Sequence, residues 1–223
     1  MQLIDRIEKR RFVGREFLLW LWFESELFDA TLATREHGEI GLWLESRLLL
    51  SQLKESTRMI APSPGLGSEA KAALRRGQLP ESAGIRIFYK EAETRLTLHA
   101  ERLAITGLRL ATVLDQEPAA EPVDLVAELK GQSKRRGKKP SADAQAELEA
   151  EHDAELFYER MRLTREIEDI LGSLYQDFLT LRLHNAWNQQ VVPWLRHFAT
   201  AEPVDPEAYR ALRRKVMRSA KST

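Results

Sequence analysis

Apolar residues recur at helical spacing near the start of the chain. Phe17, Leu18, Leu21, Trp22 and Leu27 repeat at three- and four-residue steps, with Glu16, Glu24 and Glu26 as polar positions. This predicts a helix from about Gly14 to Phe28. Two Trp and two Phe lie within Phe17 to Phe23, so such a helix buries most of its girth. A platform for stacked bases is the competing reading. The absence of any basic residue in that run weighs against it.

Beyond a loop from Asp29 to Gly38 the period changes to two. Ile40, Leu42 and Leu44 alternate with Glu39, Gly41, Trp43 and Glu45, and Leu48 to Leu50 follow. The pattern predicts a β-hairpin turning at Glu45-Ser46-Arg47, with a further strand from Ser56 to Ala61. Pro62 to Gly67 reads as a loop, and Ser68 as the N-cap of a short helix stopped by Gly77. A second hairpin pairs Ile85, Ile87 and Tyr89 with Leu96, Leu98 and Ala100 through a turn at Glu91 to Thr94. Leu103, Ile105, Leu108 and Leu110 suggest a third strand broken at Gly107.

Periodicity then dissolves from Leu114 to Asp153, where Pro118, Pro122 and Pro140 stand among Ala and Glu. A patternless stretch of that length reads as a flexible insertion, with a transient helix at Val123 to Leu129. The longest helix is expected over Ala154 to His184, with an apolar stripe of Leu156, Leu163, Ile167, Ile170, Leu174, Phe178 and Leu181. The stripe fits packing on a sheet, or a dimer seam. A shorter helix from Trp187 to Phe198 contains Pro193, which kinks it or delays its start. Pro206 to Met217 looks helical with little apolar face.

The fold class expected is α+β: antiparallel hairpins or a sheet packed against a long C-terminal helix and an aromatic N-terminal helix. Residues 1–113 and 154–199 form one domain, 114–153 a flexible charged insertion and 200–223 a basic tail.

Composition sets limits. The chain has 223 residues and no cysteine, and Lys+Arg and Asp+Glu both total 34. Disulfides, thiolate metal sites and cysteine nucleophiles are excluded. The charged start, MQLIDRIEKRRF, lacks the features of a secretory leader. Phe17 to Phe23 is too short to span a bilayer. A cytoplasmic protein, with no membrane contact, is expected.

A balanced total argues mildly against nucleic-acid binding, but local charge is strong. Lys130, Lys134, Arg135, Arg136, Lys138 and Lys139 form one basic cluster, followed by the acids Asp143, Glu147, Glu149, Glu151, Asp153 and Glu155. Arg210, Arg213, Arg214, Lys215, Arg218 and Lys221 form another, without an acid. Lys134, Arg135, Arg136, Lys138, Lys139, Arg210, Arg213, Arg214, Lys215 and Arg218 are the candidate phosphate contacts. The alternative is a solvated surface, and the acidic block beside the first cluster would compete with phosphate there.

Catalytic and metal-binding constellations are not visible. His37, His99, His152, His184 and His197 are scattered, without metal-ligand spacing. Gly65 to Lys71 lacks the phosphate-loop pattern and fits a capped helix start. No cofactor, small-molecule substrate or enzymatic activity is expected.

Four stretches carry a family likeness: GREFLLWLWFESE from Gly14, EIGLWLESRLLL from Glu39, AGIRIFYKEAETRLTLHAERLAITGLRLATVL from Ala83, and LFYERMRLTREIEDILGSLYQDFLTLRL from Leu156. They resemble the C-terminal part of RdgC, the recombination-associated nucleoid protein. The resemblance implies a non-enzymatic protein that binds duplex DNA with little sequence preference. It also implies nucleoid association, a dimer that encloses DNA, and restraint of RecA-driven strand exchange. The chain is shorter than typical members, which puts ring closure in question. No DNA-contacting residue carries over by position. The rival reading is a protein-interaction or dimerisation module without nucleic-acid binding.

Overall fold

The computed structural model describes residues 3–34, 36–52, 55–60, 68–90, 92–110 and 142–220. Helix α1 (Leu3–Leu27) leads into β1 (Thr31–Thr34), β2 (Gly38–Gln52) and β3 (Glu55–Ile60). Helix α2 (Ser68–Arg75), β4 (Leu79–Tyr89), β5 (Ala92–His99) and β6 (Ala104–Arg109) follow. Helix α3 (Ala142–Leu183), a π-helical turn (Trp187–Val191), α4 (Val192–Thr200) and α5 (Pro206–Ser219) complete the order. The protein is α+β, with six antiparallel strands and five α-helices among the described residues. None of these helices is long and apolar enough to cross a membrane.

The chain divides into two compact units. One comprises Met1–Arg109 with Glu168–Thr223, the other Leu110–Ile167. In the first, the sheet runs β1-β2-β4-β5-β6, and β3 pairs with β2 beyond the end of β1. Along β2, Ile40, Leu42, Leu44, Leu48 and Leu50 are buried and their neighbours are not, the alternation of a sheet with one covered face. Helix α1 contributes Phe17, Leu18, Trp20, Leu21, Trp22 and Phe23, each 1% exposed or less. Phe178 of α3 packs on Phe17 at 5.4 Å and on Trp20 at 5.7 Å between ring centres. In the second unit α3 continues as a single helix whose Phe157, Tyr158 and Met161 are exposed.

Several boundaries differ from expectation. No turn occurs at Glu45-Ser46-Arg47. β2 passes straight through, and five of its residues, Leu44 to Leu48, stand against three of β4, Ile85 to Ala83. This bulge carries the three polar residues that resembled a turn, because an extra length of strand also breaks alternation. Thr31–Thr34, expected as loop, is the edge strand β1. Helix α1 begins at Leu3, eleven residues before Gly14, and α3 at Ala142 instead of Ala154. In α1 the apolar positions Leu3, Ile4 and Ile7 are cut off from the aromatic run by the charged stretch Glu8 to Arg11, and the start of α3 is Ala and charge without an apolar stripe, signalled by propensity alone. β4 starts at Leu79, before Ile85. Pro193 stands in the first turn of α4, after the π-helical turn. The expected loop Pro62–Gly67, the helix at Val123–Leu129 and the insertion from Leu114 to Ser141 lie outside the described residues.

Candidate nucleic-acid interface

Five of the ten candidate cations lie on α5. This helix has clear start and stop signals. Asp205 is the N-cap, its carboxylate accepting from the Glu207 backbone N–H at 2.9 Å, and Pro206 occupies the first turn. Glu207 near the start and Arg218 near the end suit the helix dipole. The inner face, which looked weakly apolar, buries Tyr209 and Val216 completely. Tyr209 meets Phe23 edge-on at 5.2 Å and Trp194 at 5.6 Å.

Tyr209 and Arg213 also close a buried polar chain. The Trp20 indole N–H donates to the Tyr209 hydroxyl at 2.8 Å. An indole nitrogen only donates, so the single Tyr209 proton goes to Glu24, at 2.6 Å. The other Glu24 oxygen accepts from Arg213 at 2.9 Å. Arg213 also donates to Asp177 at 3.1 Å and to the Ala33 carbonyl at 2.9 Å. Glu24 has no exposed surface. Burial raises its carboxyl above the ordinary value, opposed by the Arg213 charge and the Tyr209 hydrogen bond. Burial, then the Glu24 charge, pushes the Tyr209 phenol well up. Arg213 would be lowered by burial, but Glu24, Tyr209 and Asp177 outweigh that and raise it. Arg213 is therefore a charged, inward-facing anchor whose donors are engaged by protein acceptors.

The outward residues of α5 differ. Arg210, Arg214, Lys215 and Arg218 are exposed. Arg210, Arg214 and Arg218 follow at four-residue steps, each advancing about 6 Å and turning about 40°, so they form one row along the helix. Arg210 pairs with Glu207 at 2.6 Å and covers the Phe28 ring at 4.7 Å. That exposed ion pair is weak and can yield to a stronger anion. Arg210, Arg213 and Arg214 border a cleft of about 470 Å³ with Phe28, Thr34 and Met217. Other ion pairs among the described residues join Arg15 to Glu81, Arg182 to Glu16, Lys71 to Glu26, and Arg86 and Arg95 to Glu45 and Glu93. The candidates Lys134, Arg135, Arg136, Lys138 and Lys139 lie outside the described residues.

The structure thus separates the predicted cations of α5 into one buried and four exposed. It also brings in residues that the sequence did not single out: Trp20, Glu24, Asp177 and Tyr209. Glu24 carried a signal. Trp20 to Phe23 bury a helix all round, so an acid directly after them that shares that burial calls for a cationic partner, whereas Glu26 of the same stretch reaches the surface. No family model, curated protein sequence or solved structure matches the chain.

Proposed function

We propose that this chain is a non-enzymatic, DNA-associated protein resembling RdgC, which holds duplex DNA through its phosphates with little sequence preference. One observation carries the reading: the exposed row Arg210, Arg214 and Arg218, with Lys215 beside it, on a helix anchored from its opposite face. Guanidinium groups at successive turns can each meet a phosphate and release counterions, which supplies affinity independent of base sequence. A rigid helix presents them without the ordering cost of a mobile tail.

Salt titration of binding to a long duplex tests the proposal. Binding is expected at about 50 mM salt, weakening steeply as salt rises. Each phosphate contact contributes about −0.9 to the slope of log K against log salt, so the triple variant R210A/R214A/R218A should flatten the slope by about 2.7. Absence of binding at low salt, or a slope unchanged in the triple variant, overturns it.

A second reading is self-association, favoured by Phe157, Tyr158 and Met161, which stand 59%, 69% and 37% exposed on one stretch of α3. Large apolar side chains gathered in this way mark contact surfaces. The two readings are compatible, since a dimer doubles the number of phosphate contacts.

A further inference from the structure

Within the unit Leu110–Ile167, Asp153, Phe157, Met161 and Arg165 follow one another at four-residue steps along α3 and are all exposed. Four-residue steps form a ridge of the kind through which helices pack. The row spans about 18 Å. Phe157 and Tyr158 lie edge-on at 5.9 Å and form an aromatic pair beside its centre.

The row is self-complementary in one arrangement. Asp153 and Arg165 stand six residues to either side of Glu159, and Phe157 and Met161 two residues to either side. When two identical helices pair antiparallel about a two-fold axis at Glu159, residues equidistant from the axis face each other. Asp153 of each copy then meets Arg165 of the other, and Phe157 meets Met161, a sulfur–aromatic contact. Acid faces base at both ends and apolar faces apolar in the middle. A parallel pairing opposes Asp153 to Asp153 and Arg165 to Arg165, which is repulsive. We propose that this ridge is the self-association surface of the protein, its occupant a second copy of the same chain bound antiparallel. The inference rests on the self-association reading and adds to it the surface, the direction and the register.

Such an interface is isologous, so every side chain on it acts twice. One ridge of four residues is small against the roughly 1,200–2,000 Å² that standard interfaces bury. Association is therefore concentration-dependent, not obligate.

Charge exchange followed by sedimentation velocity over a micromolar concentration series decides the matter. D153R and R165D should each weaken self-association by about tenfold, because a single reversal places like charges at both ends. The double variant D153R/R165D should restore it, since the pairs re-form with signs exchanged. All four positions are exposed, so unchanged thermal melts are expected and serve as the folding control. A wild-type dimer insensitive to both reversals, or a double variant no better than the singles, overturns the proposed surface while leaving self-association standing. A wild-type chain that stays monomeric across the series overturns both.

Discussion

Arg213 donates to Glu24 and Asp177 from a side chain only 11% exposed, while the next residue, Arg214, is exposed. Removing the first leaves the Glu24 carboxylate buried without its cation and takes one donor from Asp177. R213A should cost about 3–5 kcal/mol, whereas R214A should stay within about 0.5 kcal/mol of wild type; urea denaturation measures both. The same network gives a pH signature. Burial lifts the folded Glu24 carboxyl above its reference value of 4.5. In the window just above pH 4.5 the native chain then holds a proton that the unfolded chain has released. Its contribution to stability therefore falls as pH rises through that window. Gln does not titrate, so the wild-type-minus-E24Q difference in unfolding free energy should decline there with rising pH. A rising difference would mean that Arg213 and Tyr209 outweigh burial and depress the carboxyl.

At the scale of elements, close approach is as decisive as propensity. A Cβ on Gly14 of α1 would overlap the carbonyl of Ala100, just beyond β5, whereas one on Gly172 of α3 meets nothing within 4 Å. G14A should therefore destabilise by about 1–3 kcal/mol through overpacking, despite the better helix propensity of Ala. G172A should stabilise by up to about 1 kcal/mol. Thermal melts with opposite shifts would bear out the contrast; a stabilised G14A would show that α1 does not press on that turn. Elements that bury one face were legible in the sequence. The aromatic run of α1, the alternation Ile85-Ile87 against Leu96-Leu98, and the stripe Ile170-Leu174-Phe178-Leu181 each announce their period. What escaped has a different cause in each case. The bulge in β2 is set by its register with β4, a property of two strands and not of either one. The start of α1 has too few apolar positions before the charged run Glu8 to Arg11 to show a period, and the start of α3 has propensity without a stripe. The inner face of α5 consists largely of Tyr209, Arg213 and Val216, and a guanidinium counts as polar until Glu24 and Asp177 are seen beneath it. The outward cations were legible as a cluster, but their separation from Arg213 needed the helix to be placed.

For the molecule as a whole, the Trp20–Tyr209 hydrogen bond joins residues 189 apart, so the last helix closes the unit that the first helix begins. Expected as a basic tail, residues 206–219 instead supply part of the core. This changes what a truncation measures. A chain ending at Asp205 loses Tyr209 and Val216, and it leaves Trp20, Phe23 and Glu24 without the side chains that cover or pair with them. The cost is on the order of 5 kcal/mol, a large fraction of the roughly 5–15 kcal/mol that holds a domain together. The truncated chain should therefore melt at a much lower temperature or lose cooperative unfolding, read by circular dichroism in the near and far ultraviolet. Loss of DNA binding on removing the helix would then report a damaged fold as readily as missing phosphate contacts. R210A/R214A/R218A, which alters only exposed side chains, should keep the wild-type melt while flattening the salt dependence. A chain ending at Asp205 that melted like the full chain would make α5 an appendage, and the buried arginine would no longer explain how that helix is held in place.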